Sequence, residues 1–465
     1  MKEYKYIKGM FKRKVKMTLS TVIMFLILGT VSFTMTEEEI KKKAEEFRTE
    51  EYYYMGSGKG NNPLDTINAA EAYAQGYTGK GVTLGIVDDY INLSHSEFLN
   101  KDNLYVIGEI SEDIDWRVND HGSHVAGIML ASKDGYGMHG AAFNSNFASG
   151  TFWTNESIEK AYNYFNTRED IKIINNSWGN KIAYIDELHN VNEEYRGREG
   201  LLKYIDEEYS DITNILKKSM KSYNKLLIFA NGNSGHVAPA LIPLLSYMDK
   251  DAKNNIIGVT ALDTFSGKDK LGFLAVFSEL NKYNEENSIS APGVMINSAD
   301  AANSQEYIPM AGTSQAAPMV TGTGGLVQEA FPYMNGKQIG DVLLSTADKT
   351  VGEALGFTAT IQEDKNNPPI LNMIYFTEKP DSKDKLKEDI EKYYDANEVM
   401  LRIGYLGFGE EGNKENFVET YMEGNLTHIY ENVPYEIVYG QGVLDAGKAV
   451  KGLGTLNARR LGKGI

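Results

Sequence analysis

Leu84-Gly85-Ile86-Val87-Asp88 is the stretch on which the fold turns. Apolar and small residues run without polar alternation into a carboxylate, the pattern of a strand covered on both faces that ends at a polar edge. Outward from it, apolar runs of strand length recur at Val82–Val87, Ile171–Asn175, Lys225–Ala230 and Ile256–Ala261, with helical stretches between them. That alternation predicts an α/β layer fold on a mostly parallel, buried sheet. Open sheets of this kind carry their sites beyond the carboxyl ends of the strands, which is where Asp88 falls.

Two further blocks stand out. In Asp120-His121-Gly122-Ser123-His124-Val125-Ala126-Gly127 a histidine opens a helix with glycine beside it for close packing. In Gly312-Thr313-Ser314-Gln315-Ala316-Ala317-Pro318 small residues surround a serine at another helix start, where backbone N–H groups point at negative charge above it. Cleavage of a peptide bond by a hydroxyl needs a base for its proton, a carboxylate to hold that base, and donors where oxyanion charge develops. Ser314, His121 and Asp88 are candidates for the hydroxyl, the base and the carboxylate. Taken singly, each reads equally well as a helix start, a structural histidine or a strand-end cap; together and in order they do not. His124, on another helix face, reads as a packed structural histidine. Asn176 and Asn231 are accounted for by turn chemistry.

In the order Asp, His, Ser, these blocks resemble the three signatures of the subtilisin (S8) family, an order that separates them from chymotrypsin-like and α/β-hydrolase triads. Leu227-Ile228-Phe229-Ala230-Asn231-Gly232-Asn233 resembles the strand and turn that carry the family's side-chain oxyanion donor, here Asn233, with the Ser314 N–H as its companion. Ser177-Trp178-Gly179, after Ile173-Ile174-Asn175, resembles the edge to which substrate adds as a strand. Gly440-Gln441-Gly442-Val443-Leu444-Asp445-Ala446 resembles the family's closing strand and helix. The likeness covers about 79–450. It implies a subtilisin-like three-layer sandwich, a mostly parallel central sheet flanked by helices. It also implies a secreted or surface serine endopeptidase that acts on protein or peptide substrates through an acyl-enzyme. The rivals are a binding module on a dead protease fold and a narrow maturase of surface proteins; an intact triad, Asn233 and 177–179 edge argue against the first. The chemistry requires no cofactor. Structural calcium is common in the family, but no carboxylate cluster has a readable ligand spacing, so no metal residue is assigned. Ser234 brings no charge to the pocket rim and Trp178 offers an apolar wall, which favours apolar or aromatic residues before the scissile bond. A monomer is expected. The sequence departs from the family where Asp89 and Tyr90 follow the catalytic aspartate in place of Ser or Thr and then Gly. Asp89 either raises the pKa of the His121 imidazolium or points to solvent, the plainer expectation.

Outside these blocks, Lys2, Lys5, Lys8, Lys12, Arg13, Lys14 and Lys16 precede an apolar run from Leu19 to Phe33. This is the pattern of a signal peptide over 1–34, too short for a membrane helix of about 20 residues. Export follows whether it is cleaved or kept as an anchor. Residues 1–34 hold seven basic residues and one acidic; removing them from 47 basic and 64 acidic leaves 40 against 63, or −23. A body that acidic has no face for nucleic acid or anionic lipid. Cysteine is absent from the sequence, which excludes disulfides and thiol chemistry. A charged helical extension is expected at 35–65, the peptidase domain at 66–450 with an acidic helical insertion lying on the surface at about 182–223 and another insertion at 360–436, and a linker-like tail at 451–465. The short stretch ahead of the core and the approach Ile67–Gly81 look like bacterial autotransporter subtilisins that lack a folding prodomain. No run of alternating ten-residue strands follows Ala446, so the expectation is a lost membrane barrel or the passenger part of a longer polypeptide.

Overall fold

The computed structural model describes residues 35–57, 60–101, 105–107, 115, 120–179, 197–235, 238–249, 252–253, 255–264, 273–275, 277–350, 356–364, 367–376, 428–431 and 435–452. The expected signal peptide, the charged stretch Ser382–Met400 and nearly all of the tail lie outside them. Residues up to Lys43 form a unit of their own. There the charge-dense stretch is helical, as expected: helix Glu37–Ala44 starts at Thr36, whose N–H and hydroxyl donate to Glu39 Oε2 at 2.7 and 3.0 Å.

The second unit runs from Ala44 onward. Its centre is a sheet of β1 (Thr83–Asp88), β2 (Tyr105–Ile107), β3 (Asn146–Thr151), β4 (Ile171–Asn176), β5 (Leu226–Ala230), β6 (Ile256–Asp263), β7 (Phe273–Leu274) and β8 (Ser288–Pro292). The order is β2-β3-β1-β4-β5-β6, all parallel, with β8 parallel beside β6 and β7 antiparallel to it. The register keeps the carboxyl ends level: Val87 pairs with Gly150 and Asn176, and Asn176 with Phe229. Every residue of β1 and β5 is buried, which is why these strands read as unbroken apolar runs.

Helices cover both faces. On one, helices Asn155–Thr167 and Ser210–Tyr223 set Ile158, Tyr162, Phe165, Ile212, Leu216 and Met220 against Val87, Ile174, Leu227 and Phe229 in one hydrophobic core. On the other lies helix Thr313–Ala330, drawn close by small residues: a Cβ on Gly324 would stand 2.7 Å from Ile173 Cδ1. The helix His121–Leu130 packs against Thr313–Ala330. The architecture is the expected three-layer α/β sandwich.

Two expectations about the margins change. The segment 182–223 is not wholly a surface insertion, because from Ile205 it contributes side chains to the core. The extension expected over 35–65 is part of the main body from Ala44: Tyr52, Met55 and Leu64 are buried, and Asn297 N–H donates to Met55 O at 2.8 Å. Within 360–436 the described residues include an antiparallel sheet of β11 (Gly356–Asp364), β12 (Asn367–Phe376) and β13 (His428–Glu431), apart from the central one. Strands β9 (Ile296–Ala299) and β10 (Tyr307–Met310) form a hairpin sheet.

Candidate active site

Three neighbouring strands, β1, β4 and β5, deliver the predicted residues to one edge. At the end of β1, Asp88 is fully buried, and its Oδ1 accepts from His121 Nδ1–H at 2.6 Å and from Asp89 N–H at 2.9 Å. A carboxylate acceptor fixes the proton on Nδ1, so neutral His121 has its lone pair on Nε2. Burial disfavours the imidazolium, but the charge and hydrogen bond of Asp88 outweigh it; with help from Asp89 and Asp120 the pKa rises to about 9.

Beyond β4, Ser177 and Ser314 bond reciprocally: Ser314 Oγ donates to Ser177 O at 3.0 Å, and Ser177 Oγ donates to Ser314 O at 2.8 Å. The second bond has a cause in the sequence. Pro318 lies inside the helix four residues after Ser314 and has no N–H, so the Ser314 carbonyl lacks its intrahelical donor. The Ser177 hydroxyl takes that place. It is held in turn by Asn175 Nδ2 at 2.9 Å, and Asn175 Oδ1 accepts from Thr321 Oγ1 at 2.9 Å.

Beyond β5, Gly232 turns at φ +119°, where a Cβ would meet the Glu279 carboxylate, and the turn presents Asn233 at the surface. Asn233 Oδ1 accepts from Thr313 N–H at 2.8 Å and from its hydroxyl at 2.9 Å. Thr313 Oγ1 also accepts from Gly232 N–H at 3.0 Å. With its oxygen engaged by Thr313, exposed Asn233 has its Nδ2 as the donor end of the amide. Ser314 N–H, in the first turn of its helix, has no intrahelical acceptor. Adjacent strands lie about 4.8 Å apart, so the segments that carry Asp88, Ser177 and Asn233 share one short stretch of sheet edge.

The remaining predicted residues fall as follows. Trp178 is half-buried, its ring 5.5 Å from Phe229 and 6.2 Å from Phe152, an apolar surface beside Ser177; Gly179 is exposed. His124 is the packed histidine expected: Nε2–H donates to Ile296 O and Ile308 O at 3.0 and 2.9 Å, and burial lowers its pKa to about 3. Asn176 and Asn231, expected as turn residues, are the last residue of β4 and the one that follows β5. Both are fully buried, with Tyr162 OH donating to Asn176 Oδ1 at 2.8 Å and Asn231 Nδ2 donating to Asn281 Oδ1 at 2.8 Å. Asp89 does not point to solvent. It is 5% exposed and accepts through Oδ1 from Gly122 N–H. Sequence reasoning missed Thr313 and Asn175; Pro318, four residues after the serine, was the readable sign that this helix start needs an outside partner. Among the described residues, Asp88, Asp89 and His121 are the one group of three carboxylate and imidazole side chains close enough to share an ion. One oxygen of each carboxylate already accepts protein N–H groups.

Comparison with known proteins gives the family. Residues 79–373 match the model described as the subtilase family, Peptidase_S8. An extracellular serine protease of Serratia marcescens is 31% identical over 341 residues, covering 61% of this chain and 31% of that protein. The autotransporter lipoprotein NalP of Neisseria meningitidis is 27% identical over 361 residues, covering 63% and 33%. Subtilisin DY of Bacillus licheniformis is 29% identical over 298 residues, covering 61% and 90%. The chain thus spans about a third of the length of the first two relatives.

Proposed function

This chain belongs to the subtilase family, and from that premise we propose that it is an exported serine endopeptidase with Ser314 as nucleophile, His121 as base and Asp88 as the carboxylate that orients it. The observation that carries the reading is the convergence of the Asp88–His121 bond, the Ser177–Ser314 pair and the Asn233–Thr313 bonds at the ends of three adjacent strands. In the first step the Ser314 hydroxyl turns from Ser177 O to His121 Nε2, gives up its proton, and attacks the scissile carbonyl. The oxyanion that forms accepts from Asn233 Nδ2 and Ser314 N–H. His121 then protonates the leaving amine, and water repeats the sequence on the acyl-enzyme. Asp88 stays ionised throughout and supports the imidazolium.

Half-buried Trp178, packed against Phe152, supports a preference for apolar or aromatic residues before the scissile bond. Export is supported by the basic and apolar N-terminal pattern and by relatives named as an extracellular protease and an autotransporter. The test is incubation with casein, with and without a serine-directed fluorophosphonate, beside Ser314→Ala. Cleavage that the reagent abolishes is expected. In Ser314→Ala the loss should be on the order of 10⁶ in kcat, as when subtilisin loses its serine. Turnover by that variant above a hundredth of wild type would reject Ser314 as the nucleophile.

A further inference from the structure

Two successive carboxylates from the end of β1 hold the first turn of helix His121–Leu130. Asp88 Oδ1 takes the imidazole and Asp89 Oδ1 takes Gly122 N–H, one residue further along the helix. Asp120, the helix's own N-cap residue, makes no side-chain cap bond, so Asp89 supplies the cap from another element. The backbone between them is fixed as well, since Asp89 N–H donates to Asp88 Oδ1 at 2.9 Å. Contact with the helix is close enough to demand glycine there: a Cβ on Gly122 would lie 2.4 Å from Asp89 Oδ1 and 2.7 Å from Tyr90 O. Asp89 is only 5% exposed, so solvent screens its charge weakly.

We propose, on the footing of the peptidase reading above, that Asp89 is a positioning residue for His121: it pins the backbone that carries the imidazole and adds a second negative charge that favours the cationic ring. The charged groups that act on Asp89 are Asp88, His121 and Asp120. Burial and Asp88 push its carboxyl up to about 7, opposed by His121 and the Gly122 N–H. Above that pH Asp89 is ionised and stabilises the imidazolium. General-base catalysis needs the neutral ring, so activity rises only as pH climbs through the His121 pKa, and removing the Asp89 charge moves that rise to lower pH.

Asp89→Asn separates the two roles, since it keeps an oxygen for Gly122 N–H and removes the charge. Asp89→Ser removes both, and its hydroxyl is too short to replace the cap. The readout is the pH dependence of two rates, casein cleavage at substrate well below KM and inactivation by the fluorophosphonate. In both variants the acid limb should lie about 0.5–1 pH unit below wild type at low ionic strength. The Asp89→Ser plateau should also fall, because its helix start is less firmly held. Superimposed limbs for wild type and Asp89→Asn would overturn the proposal. So would a wild-type limb below the ordinary histidine value of about 6.5, a measurement that needs no variant to fold. Casein turnover surviving in Ser314→Ala strikes the peptidase reading instead.

Discussion

Asn233 is the residue whose loss discriminates best between a catalytic and a structural reading of the site. Its oxygen is held by Thr313, and on the proposed reading its Nδ2 bonds substrate only once the carbonyl oxygen has moved to its tetrahedral position. Asn233→Ala should therefore lower kcat by about 10²–10³ and leave KM nearly unchanged in steady-state kinetics. A change confined to KM would mean that Asn233 shapes the pocket and that the donor lies elsewhere. At this scale placement was legible where a residue sits in a block of small residues, as Ser314 does at the start of its helix. Asp89 was not legible. It follows the last residue of β1, where the alternation of a strand no longer dictates direction, and it packs on a helix whose Gly122 lies 33 positions further along the chain.

The elements that matter most are two helix starts, each held from outside by a strand end. For His121–Leu130 the grip comes from β1; for Thr313–Ala330 it comes from the segments that follow β4 and β5. Apolar runs made the strands readable and small-residue blocks made the helix starts readable, but bonds between elements distant in sequence have no period to betray them. Thr313 is the test of that outside grip. Its hydroxyl donates to Asn233 Oδ1 and accepts from Gly232 N–H, while its own N–H makes a second bond to the same oxygen. Thr313→Val keeps the shape, leaves Gly232 N–H without its acceptor, and should cost about 1–3 kcal/mol of stability in urea unfolding. With one of two bonds to Oδ1 retained, kcat should fall about tenfold, less than in Asn233→Ala. An unchanged kcat would mean that the backbone bond alone orients the amide.

For the molecule as a whole, function depends on a sheet that keeps the ends of β1, β4 and β5 level, and that in turn depends on cover over both faces. The cover opposite the Ser314 helix comes partly from Ser210–Tyr223, in the segment whose acidic composition suggested an appendage. Its apolar positions tell against that reading: Ile212, Leu216 and Met220 recur every four residues and are buried in the core, whereas Lys218 on the same helix is exposed. Composition averaged over the segment hides such a stripe; periodicity recovers it. Leu216 is fully buried, so Leu216→Ala should destabilise the protein by about 2–5 kcal/mol in urea unfolding, the usual cost of emptying a leucine site. Lys218→Ala should stay within about 0.5 kcal/mol of wild type, as exposed positions do. Leu216 lies on the face of the sheet away from helix Thr313–Ala330, so kcat/KM per folded molecule should be unchanged in both variants. Were this helix only an appendage, Leu216→Ala would unfold like wild type. Were the catalytic edge coupled directly to this layer, kcat/KM would drop with stability, and the level strand ends would owe their register to side-chain packing rather than to the parallel ladder.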